Sequence, residues 1–415
     1  MPKKNENQIR YHCSQTVAVV TAFKLKGWVQ TEDFEHCDIF WSDHHIINEL
    51  FDRGLVKKNV KLTRKNHMSR NLKKQMIKLK KTERKESYGI CEFLPKTFEL
   101  PSDYQWFHEE YKKSPSSIWI MKPVGKSQGK GIFLFKKLKD IDAWKNNYSL
   151  KNELKNDSVE NYVVSRYIEN PYLLGGYKFD LRLYVLVTSF KPLKCWIYRD
   201  GFARFSNYEF NLDSIEKSFV HLTNVAVQKK GPDYNPDLGS KWRINKLRRY
   251  LGCKHSEPEV DLLFRKIDAI FLASLLSVKC GIIQDKHCFE LYGYDVLIDE
   301  KLNPWLIEVN ASPSMAPSSK DDLDMKVKMI SSVLDIITSK DDLDFKCGNF
   351  DLVWNNGPIS PRSSMLEDRL FRFTRSVDLD VDCETTAYPE FTEQNELDFV
   401  LSLPTLNSHI GYARI

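Results

Sequence analysis

Two late segments of the chain, Glu290-Leu-Tyr-Gly-Tyr-Asp295-Val-Leu-Ile and Pro304-Trp-Leu-Ile-Glu308-Val-Asn310, carry polar side chains inside otherwise apolar strand-like runs. Strand side chains alternate, which sets Glu308 and Asn310 on one face and Ile307 and Val309 on the other. Burying a carboxylate beside an amide there is costly unless a cation offsets it. Oxygen ligands from Asp295, Glu308 and Asn310 suit Mg²⁺, a hard ion that keeps few protein groups and also binds substrate phosphates. An ion pair with a neighbouring Lys or Arg is the plainer use of the same residues. A second charged set, Lys178-Phe-Asp180-Leu-Arg182, alternates on one face in front of the apolar run Leu183 to Val187. Arg182 is placed there to hold a phosphoryl oxygen or a developing oxyanion, with internal pairing to Asp180 as the alternative.

A third set is a loop. Ile118-Trp-Ile-Met-Lys122-Pro leads through Val-Gly125-Lys-Ser-Gln-Gly129-Lys130-Gly131 to Ile-Phe-Leu-Phe135, which reads strand, glycine-rich turn, strand. The glycines let backbone amides approach an anion, and Lys126 and Lys130 neutralise phosphate charge. No helix follows, so neither a Walker loop nor a dinucleotide fingerprint fits. A hairpin covering a nucleotide fits better, although a plain hairpin turn uses the same residues. Spacing alone does not single out Arg204, Thr223, Asn224 or Lys241.

The elements that position these groups are strands Ile118–Met121, Ile132–Phe135, Tyr162–Ile168, Leu181–Thr188, Cys195–Tyr198, Phe289–Ile298 and Pro304–Val309, rich in β-branched and aromatic residues. Residues 242–252 and 258–279 read as helices, the second with Val260, Leu263, Phe264, Ile267, Ile270 and Phe271 at helical spacing. Upstream, short apolar runs (Val17–Phe23, Ile39–Trp41, Ile46–Phe51) suggest a small α/β unit. The fold class is therefore α/β. The segments read as an extension over 1–22, an α/β domain over 23–110, a central domain over 111–200, a C-terminal domain over 201–345 and a poorly ordered acidic tail over 346–415.

With 62 Lys and Arg against 56 Asp and Glu, the composition is that of a globular protein with a formal net charge of +6. The charge is polarised: residues 346–415 hold 6 basic and 11 acidic side chains, whereas Lys57 to Lys85 holds 13 basic residues and one acid, Glu83. An acidic polymer is the partner to suspect, with Lys57, Lys58, Lys61, Arg64, Lys73 and Lys74 as its surface, unless the run is simply a solvated helix face. Nucleic acid is disfavoured because aromatics for base stacking do not interleave. The nine cysteines include no CxxC pair, which sets zinc and disulfide chemistry aside and fits a reducing compartment. No apolar run approaches the roughly 18 residues that span a bilayer, and no signal peptide opens the chain; a soluble intracellular protein is expected.

Five blocks in order, SSIWIMKPVGKSQGKGIFLF, GGYKFDLRLYVLVTSFKPLKCWIY, FVHLTNVAVQK, GSKW and YGYDVLIDEKLNPWLIEVNASPS, resemble the tubulin tyrosine ligase-like family of ATP-grasp amino-acid ligases. The resemblance runs from about Phe23 to Asp344 and is strongest to the short glutamate-adding members of cilia and flagella. It implies an ATP-grasp core that uses ATP and Mg²⁺. By the same resemblance Lys122, Gln128 and Gly129 contact phosphates, Ser165, Arg166, Tyr167 and Ile168 form the adenine-side hinge, and Lys178, Phe179 and Asp180 lie at the nucleotide and ribose. Thr223 and Asn224 line the nucleotide side. Arg182 faces the reacting phosphoryl group, and Asp295, Glu308 and Asn310 hold Mg²⁺, making Arg182 and Glu308 the catalytic pair. Arg204 and Lys241 receive the carboxylates of free L-glutamate.

The implied reaction activates a glutamate side chain of the acidic tubulin C-terminal tail as an acyl phosphate, which the amine of glutamate then attacks. Such chemistry needs charge-spreading cations and a flap that excludes water. The resemblance also implies a cytoplasmic, cytoskeletal place at cilium, basal body or flagellar axoneme. No long basic extension follows the core, so dependence on partner subunits is expected. Glycine addition, glutamylation of another acidic protein, and a non-catalytic microtubule-binding role remain the alternatives.

Overall fold

The computed structural model describes residues 8–14, 17–33, 37–42, 62–81, 93–141, 161–231, 241–282, 288–339, 343, 345–357 and 359, and in it three β-sheets follow one another along the chain. Arg10–Cys13 (β1) pairs in parallel with Val29–Gln30 (β2) and Ile39–Trp41 (β3). Val17–Leu25 (α1) connects β1 to β2. Its valines disfavour a helix only weakly, and Ala18, Val19, Ala22 and Phe23 fall on one helical stripe that is fully buried. The expected extension over 1–22 therefore supplies the first strand and most of the first helix of a packed unit. The run Ile46–Phe51 lies outside the described residues.

Lys65–Lys81 (α2) follows, then a four-stranded antiparallel sheet made of Thr97–Leu100 (β4), Trp119–Pro123 (β5), Phe133–Phe135 (β6) and Tyr162–Arg166 (β7), in the order β4-β7-β5-β6. Tyr104–Lys113 (α3) covers it through Phe107, whose ring meets Trp119 edge-on at 5.1 Å. The glycine-rich segment joins β5 to β6 as a hairpin, as its strand–turn–strand pattern predicts.

The third sheet has eight strands. Its path is β13-β12-β9-β10-β15-β14, built from Tyr177–Phe190 (β9), Leu193–Glu209 (β10), Glu290–Ile298 (β12), Pro304–Asn310 (β13), Lys346–Cys347 (β14) and Phe350–Asn355 (β15). Leu173–Leu174 (β8) adds to β9 and Lys241–Arg243 (β11) to β10. Between β10 and β11 lie two single-turn helices, Ser218–His221 (α4) and Val225–Gln228 (α5). Ile244–Lys254 (α6) and Glu257–Lys279 (α7) cover one face of this sheet. A capping box fixes the start of α7: the Ser256 side chain accepts from the Glu259 amide while Glu259 accepts from the Ser256 amide. Odd-numbered β9 residues such as Leu183 and Val185 pack there with Leu263, Ile267 and Phe271. On the other face Tyr184 and Leu186 meet Met329 and Val333 of Lys320–Thr338 (α8), which also receives α1.

Two segment boundaries move. The division at 200/201 falls inside β10, whose pairing with β9 is continuous across it, so the chain divides between the β7 and β9 sheets instead. Residues 346–355 depart from the tail expected from residue 346, because Phe350–Asn355 pairs with β10 and buries Phe350 and Trp354; residues 361–415 lie outside the described set. Among the described residues no helix is long and apolar enough to cross a membrane.

Candidate active site

Between the four-stranded sheet and the even-numbered face of β9 lies an open cleft of about 820 Å³, its open mouth included. Lys122, Gln128, Gly129, Ser165, Arg166, Tyr167, Ile168, Lys178, Asp180, Thr223, Asn224, Asp295 and Glu308 all line it, although they come from seven separate stretches of chain. Phe179 does not. Alternation turns it to the far face, where it is 1 % exposed among the residues that pack on α6 and α7.

Strand register explains the floor. Asp180 lies directly opposite Arg204 on β10, Arg182 opposite Asp295 on β12, and Asp295 opposite Glu308 on β13. Arg182 grips Asp295 with two bonds, Nε to Oδ1 at 2.6 Å and Nη2 to Oδ2 at 3.1 Å. Arg204 donates from Nε to Asp180 Oδ1 at 2.8 Å and from Nη2 to Asp180 Oδ2, and its Nη2 also lies 2.9 Å from Asp295 Oδ2. Two guanidinium groups and two carboxylates thus form one buried quartet. Burial works to raise the Asp295 carboxyl, but Arg182 and Arg204 outweigh it and hold it well below the usual carboxylate range.

Arg204 was expected at a glutamate carboxylate, yet it is 8 % exposed, lies outside the cleft lining, and spends its guanidinium on Asp180 and Asp295. Lys241 is likewise engaged, donating to Asp322 Oδ2 at 2.9 Å and Ser318 Oγ at 2.8 Å. Asp180 takes Arg204 as its partner, whereas the alternative read from sequence paired it with Lys178 or Arg182.

Alternation fails once, on β13. The β12–β13 register slips between Asp295 and Val296, so that Asp295 faces Glu308 while Val296 already faces Leu306. Ile307 is the extra residue of this bulge. In consequence Ile307 shares the cleft with Glu308, and Leu306 and Val309 are the pair sent to the core. Asn310 stands opposite Gly293 and donates from Nδ2 to its carbonyl at 3.2 Å, which leaves Oδ1 as its ligand-type atom.

Lys65, at the first turn of α2, was not singled out from the sequence. Its Nζ sits 3.7 Å from Glu308 Oε2 and donates to the Lys126 carbonyl in the glycine loop at 3.1 Å. A signal was present: Lys65, Met68 and Leu72 share one helical stripe, and the latter two are buried. The rest of the basic surface divides. Arg64 and Lys74 are exposed, but Lys73 is partly buried, donates to the Thr97 carbonyl and sits 5.2 Å above the Phe98 ring, and burial lowers its pKa. Lys57, Lys58 and Lys61 lie outside the described residues.

The electrostatics carry two opposite demands. Burial pushes the Lys122 ammonium down to about 8 despite Glu308, with Lys65 adding to the fall, and pushes Lys178 down to about 7 despite Asp180. These cations lack full compensation, which suits a polyanion. Burial and the neighbouring Asp295 push the Glu308 carboxyl up, with Lys65 pulling it back. Two carboxylates side by side with an amide oxygen one step along are hard oxygen donors, and although Arg182 and Arg204 hold Asp295 and Lys65 lies near Glu308, these donors fit Mg²⁺.

Above the floor the hairpin is conformationally special. Gln128, Gly129 and Gly131 adopt φ of 60°, 74° and 72°. A Cβ on Gly129 would stand 2.5 Å from Val227 Cγ2 on α5, so glycine lets the loop rest directly on that helix.

Comparison with known proteins gives the same direction. The profile of the tubulin-tyrosine ligase family matches residues 53–344. A Rattus norvegicus protein named probable tubulin polyglutamylase TTLL9 is 47% identical over 372 residues, covering 80% of this chain and 81% of the relative. A Caenorhabditis elegans probable tubulin polyglutamylase is 40% identical over 371 residues, covering 85% and 87%. A Tetrahymena thermophila probable alpha-tubulin polyglutamylase is 40% identical over 346 residues, covering 77% and 83%.

Proposed function

The chain belongs to the tubulin-tyrosine ligase family, whose members are ATP-using ligases, and on that premise we propose that it is a tubulin polyglutamylase. It joins the amine of free L-glutamate to a glutamate side-chain carboxylate in the acidic C-terminal tail of tubulin. That carboxylate oxygen attacks the γ-phosphorus of ATP and ADP leaves. The amine then attacks the acyl carbon of the acyl phosphate, inorganic phosphate departs, and the amine loses a proton.

One observation carries the reading: under-compensated cations, paired carboxylates and a glycine-rich flap meet in a single cleft. Lys122 and Lys178 bind and orient the phosphates, their lowered pKa values marking the anion they await. Gln128 and Gly129 close the flap over them and exclude water from a hydrolysable intermediate. Ser165 to Ile168 and Thr223 with Asn224 border the nucleotide base and sugar, and Asp180 the ribose. Asp295, Glu308 and Asn310 hold Mg²⁺, which when bound supplies charge neutralisation and alignment for phosphoryl transfer. Arg182 fixes Asp295 for that task and adds positive charge below the transferred group. Lys241 is the better placed of the two glutamate-binding candidates, because its side chain keeps partial exposure whereas that of Arg204 is buried. Arg204 acts from within, holding Asp180 and Asp295 in register.

A tubulin substrate puts the protein on the cytoskeleton; cilium, basal body or axoneme, and reliance on partner subunits, are further parts of the proposal. The test incubates the protein with ATP, Mg²⁺, labelled glutamate and microtubules, beside Glu308→Gln and a glycine competitor. Incorporation that Glu308→Gln abolishes and glycine does not dilute is the expected result. No incorporation, either alone or in complexes recovered from ciliated cells, refutes it.

A further inference from the structure

The wall of the cleft holds a buried polar chain whose far member, His221, has no part in the reaction as described. Lys178 Nζ donates to the Tyr167 hydroxyl at 2.8 Å and to the His221 carbonyl at 2.8 Å. The Tyr167 hydroxyl lies 3.0 Å from His221 Nδ1, and His221 Nε2 lies 3.1 Å from the Ser214 carbonyl. All three side chains are shut from solvent, with His221 at 1 %, Lys178 at 5 % and Tyr167 at 6 % exposure. Aromatic walls fix them in place: Lys178 Nζ is 4.5 Å above the Tyr167 ring and 5.7 Å from Phe210, and His221 meets both rings edge-on.

The direction of every proton in this chain follows from the acceptors. A backbone carbonyl cannot donate, so Nε2 of His221 carries the hydrogen that reaches Ser214. In the neutral ring Nδ1 is then the acceptor, and the Tyr167 O–H donates to it. With its hydrogen committed, the Tyr167 oxygen turns its lone pairs to Lys178. In its charged form, which an anion in the cleft favours, Lys178 has three N–H donors, and two now have fixed targets. The third is left for the cleft, which Lys178 lines.

We propose that His221 is a positioning residue for nucleotide binding, acting through Tyr167 to aim the third N–H of Lys178 at an anionic oxygen of the bound phosphate chain. This rests on the reading of the cleft as a nucleotide site. The polarity of the chain runs one way only, Lys178 to Tyr167 to His221 to Ser214. Protonating His221 reverses its middle link, because Nδ1 becomes a donor facing a hydroxyl that then has no acceptor, and it sets a second cation beside Lys178. The groups facing the ring are Lys178 from β9, Tyr167 from the end of β7, and Ser214 and Glu216 from the loop before α4. Burial first, and Lys178 with it, hold the His221 pKa below its ordinary value against the pull of Ser214 and Glu216, so the required neutral ring is the form present at neutral pH.

The test measures binding of adenylyl imidodiphosphate with Mg²⁺, and of adenosine, to the full chain by titration calorimetry. Variants are His221→Leu, His221→Asn, Tyr167→Phe and the Leu/Phe double, each checked by thermal melting. His221→Leu and Tyr167→Phe should each weaken the triphosphate analogue by about tenfold, the worth of one hydrogen bond to a charged group, and His221→Leu should leave adenosine binding unchanged. The double variant should lose no more than either single, since both cut the same chain. Asn, whose Oδ1 replaces the Nδ1 acceptor, should restore binding to within about threefold of the parent. Equal losses for adenosine and the triphosphate in His221→Leu, additive losses in the double variant, or failure of Asn to rescue overturns the inference while sparing the nucleotide site. Failure of the unmodified protein to bind the analogue overturns the nucleotide reading itself, and the inference with it.

Discussion

Replacing Gly129 by alanine tests whether the hairpin works by resting on α5. Two costs follow from the structure. Gly129 has φ of 74°, where a Cβ costs about 1–2 kcal/mol. The added Cβ would also stand 2.5 Å from Val227 Cγ2, against roughly 3.5–4.0 Å for relaxed carbon contacts, so about 1 Å of movement is required. Val227 cannot supply it cheaply. It is β-branched, 5 % exposed and packed with Ile118, Ile120 and Leu222, whereas Gln128 and Lys130 on the loop side are exposed. The loop therefore yields and lifts from α5. The dissociation constant of a triphosphate analogue should rise about tenfold, equivalent to 1–2 kcal/mol, while the melting temperature moves little because the loop carries little of the core. Val227→Ala in the same chain deletes Cγ2 and should restore about threefold of affinity, leaving the backbone cost in place. Unchanged affinity in Gly129→Ala, or no recovery with Val227→Ala, would refute a flap seated on α5.

Arg204→Ala should unfold the protein several degrees earlier, since it leaves Asp180 without its guanidinium partner and Asp295 with Arg182 alone, a loss of buried pairing of about 3–5 kcal/mol. Lys241→Ala should cost clearly less, because Lys326 remains at Asp322; a raised KM for glutamate with unaltered melting in Arg204→Ala would instead return Arg204 to the substrate. Glu290 has its carboxyl pushed up to about 7 by burial. Between about pH 4.5 and 7 the folded chain keeps a proton there that the unfolded chain has released, so this group's contribution falls as pH rises. The melting temperature of Glu290→Gln relative to the parent should therefore climb from pH 5 to 8, by the equivalent of about 1–2 kcal/mol after discounting for partial exposure. A pH-independent difference would rule out the buried proton.

The strands and the charged residues of the cleft floor were legible because both depend on short-range pattern, whereas Ser165 to Ile168, Thr223 and Asn224 came only from the family resemblance. Runs such as Tyr162-Val-Val and Leu183 to Val187 have few alternatives to β structure, and once they are strands, alternation puts Lys178, Asp180 and Arg182 on one side. What stayed hidden depends on partners distant in sequence. Ile307 joins Glu308 in the cleft only because β12 and β13 slip by one residue, and nothing local in Trp-Leu-Ile-Glu marks where a bulge will sit. The use of Arg204 follows from the β9–β10 register, which shifts three times between Phe190 and Tyr177 and cannot be counted back from the turn. The tail reads as poorly ordered with one docking segment, but nothing in its short apolar pieces marks Phe350–Asn355 as that segment; pairing with β10 buries its Phe and Trp.

The basic stretch shows most clearly how a charge count misleads where periodicity does not. As a run of lysines it reads as a surface for an acidic polymer, and Arg64 and Lys74 remain available for that. At helical spacing the same run has an inner stripe, on which Met68 and Leu72 pack against the α7 side of the large sheet. Asn66 and Arg70 meanwhile bond both oxygens of Glu99 on β4, at 2.8 Å and 2.6 Å, tying α2 to the sheet that carries the flap. Lys65, at the end of this helix nearest the cleft, contacts Glu308 on one sheet and the Lys126 carbonyl on the other. The helix therefore spans the two walls of the cleft, with Lys65 beside Glu308. Any change in the spacing of the sheets must alter the Lys65–Glu308 contact, because Met68 and Leu72 hold α2 to one wall while Asn66 and Arg70 hold it to the other.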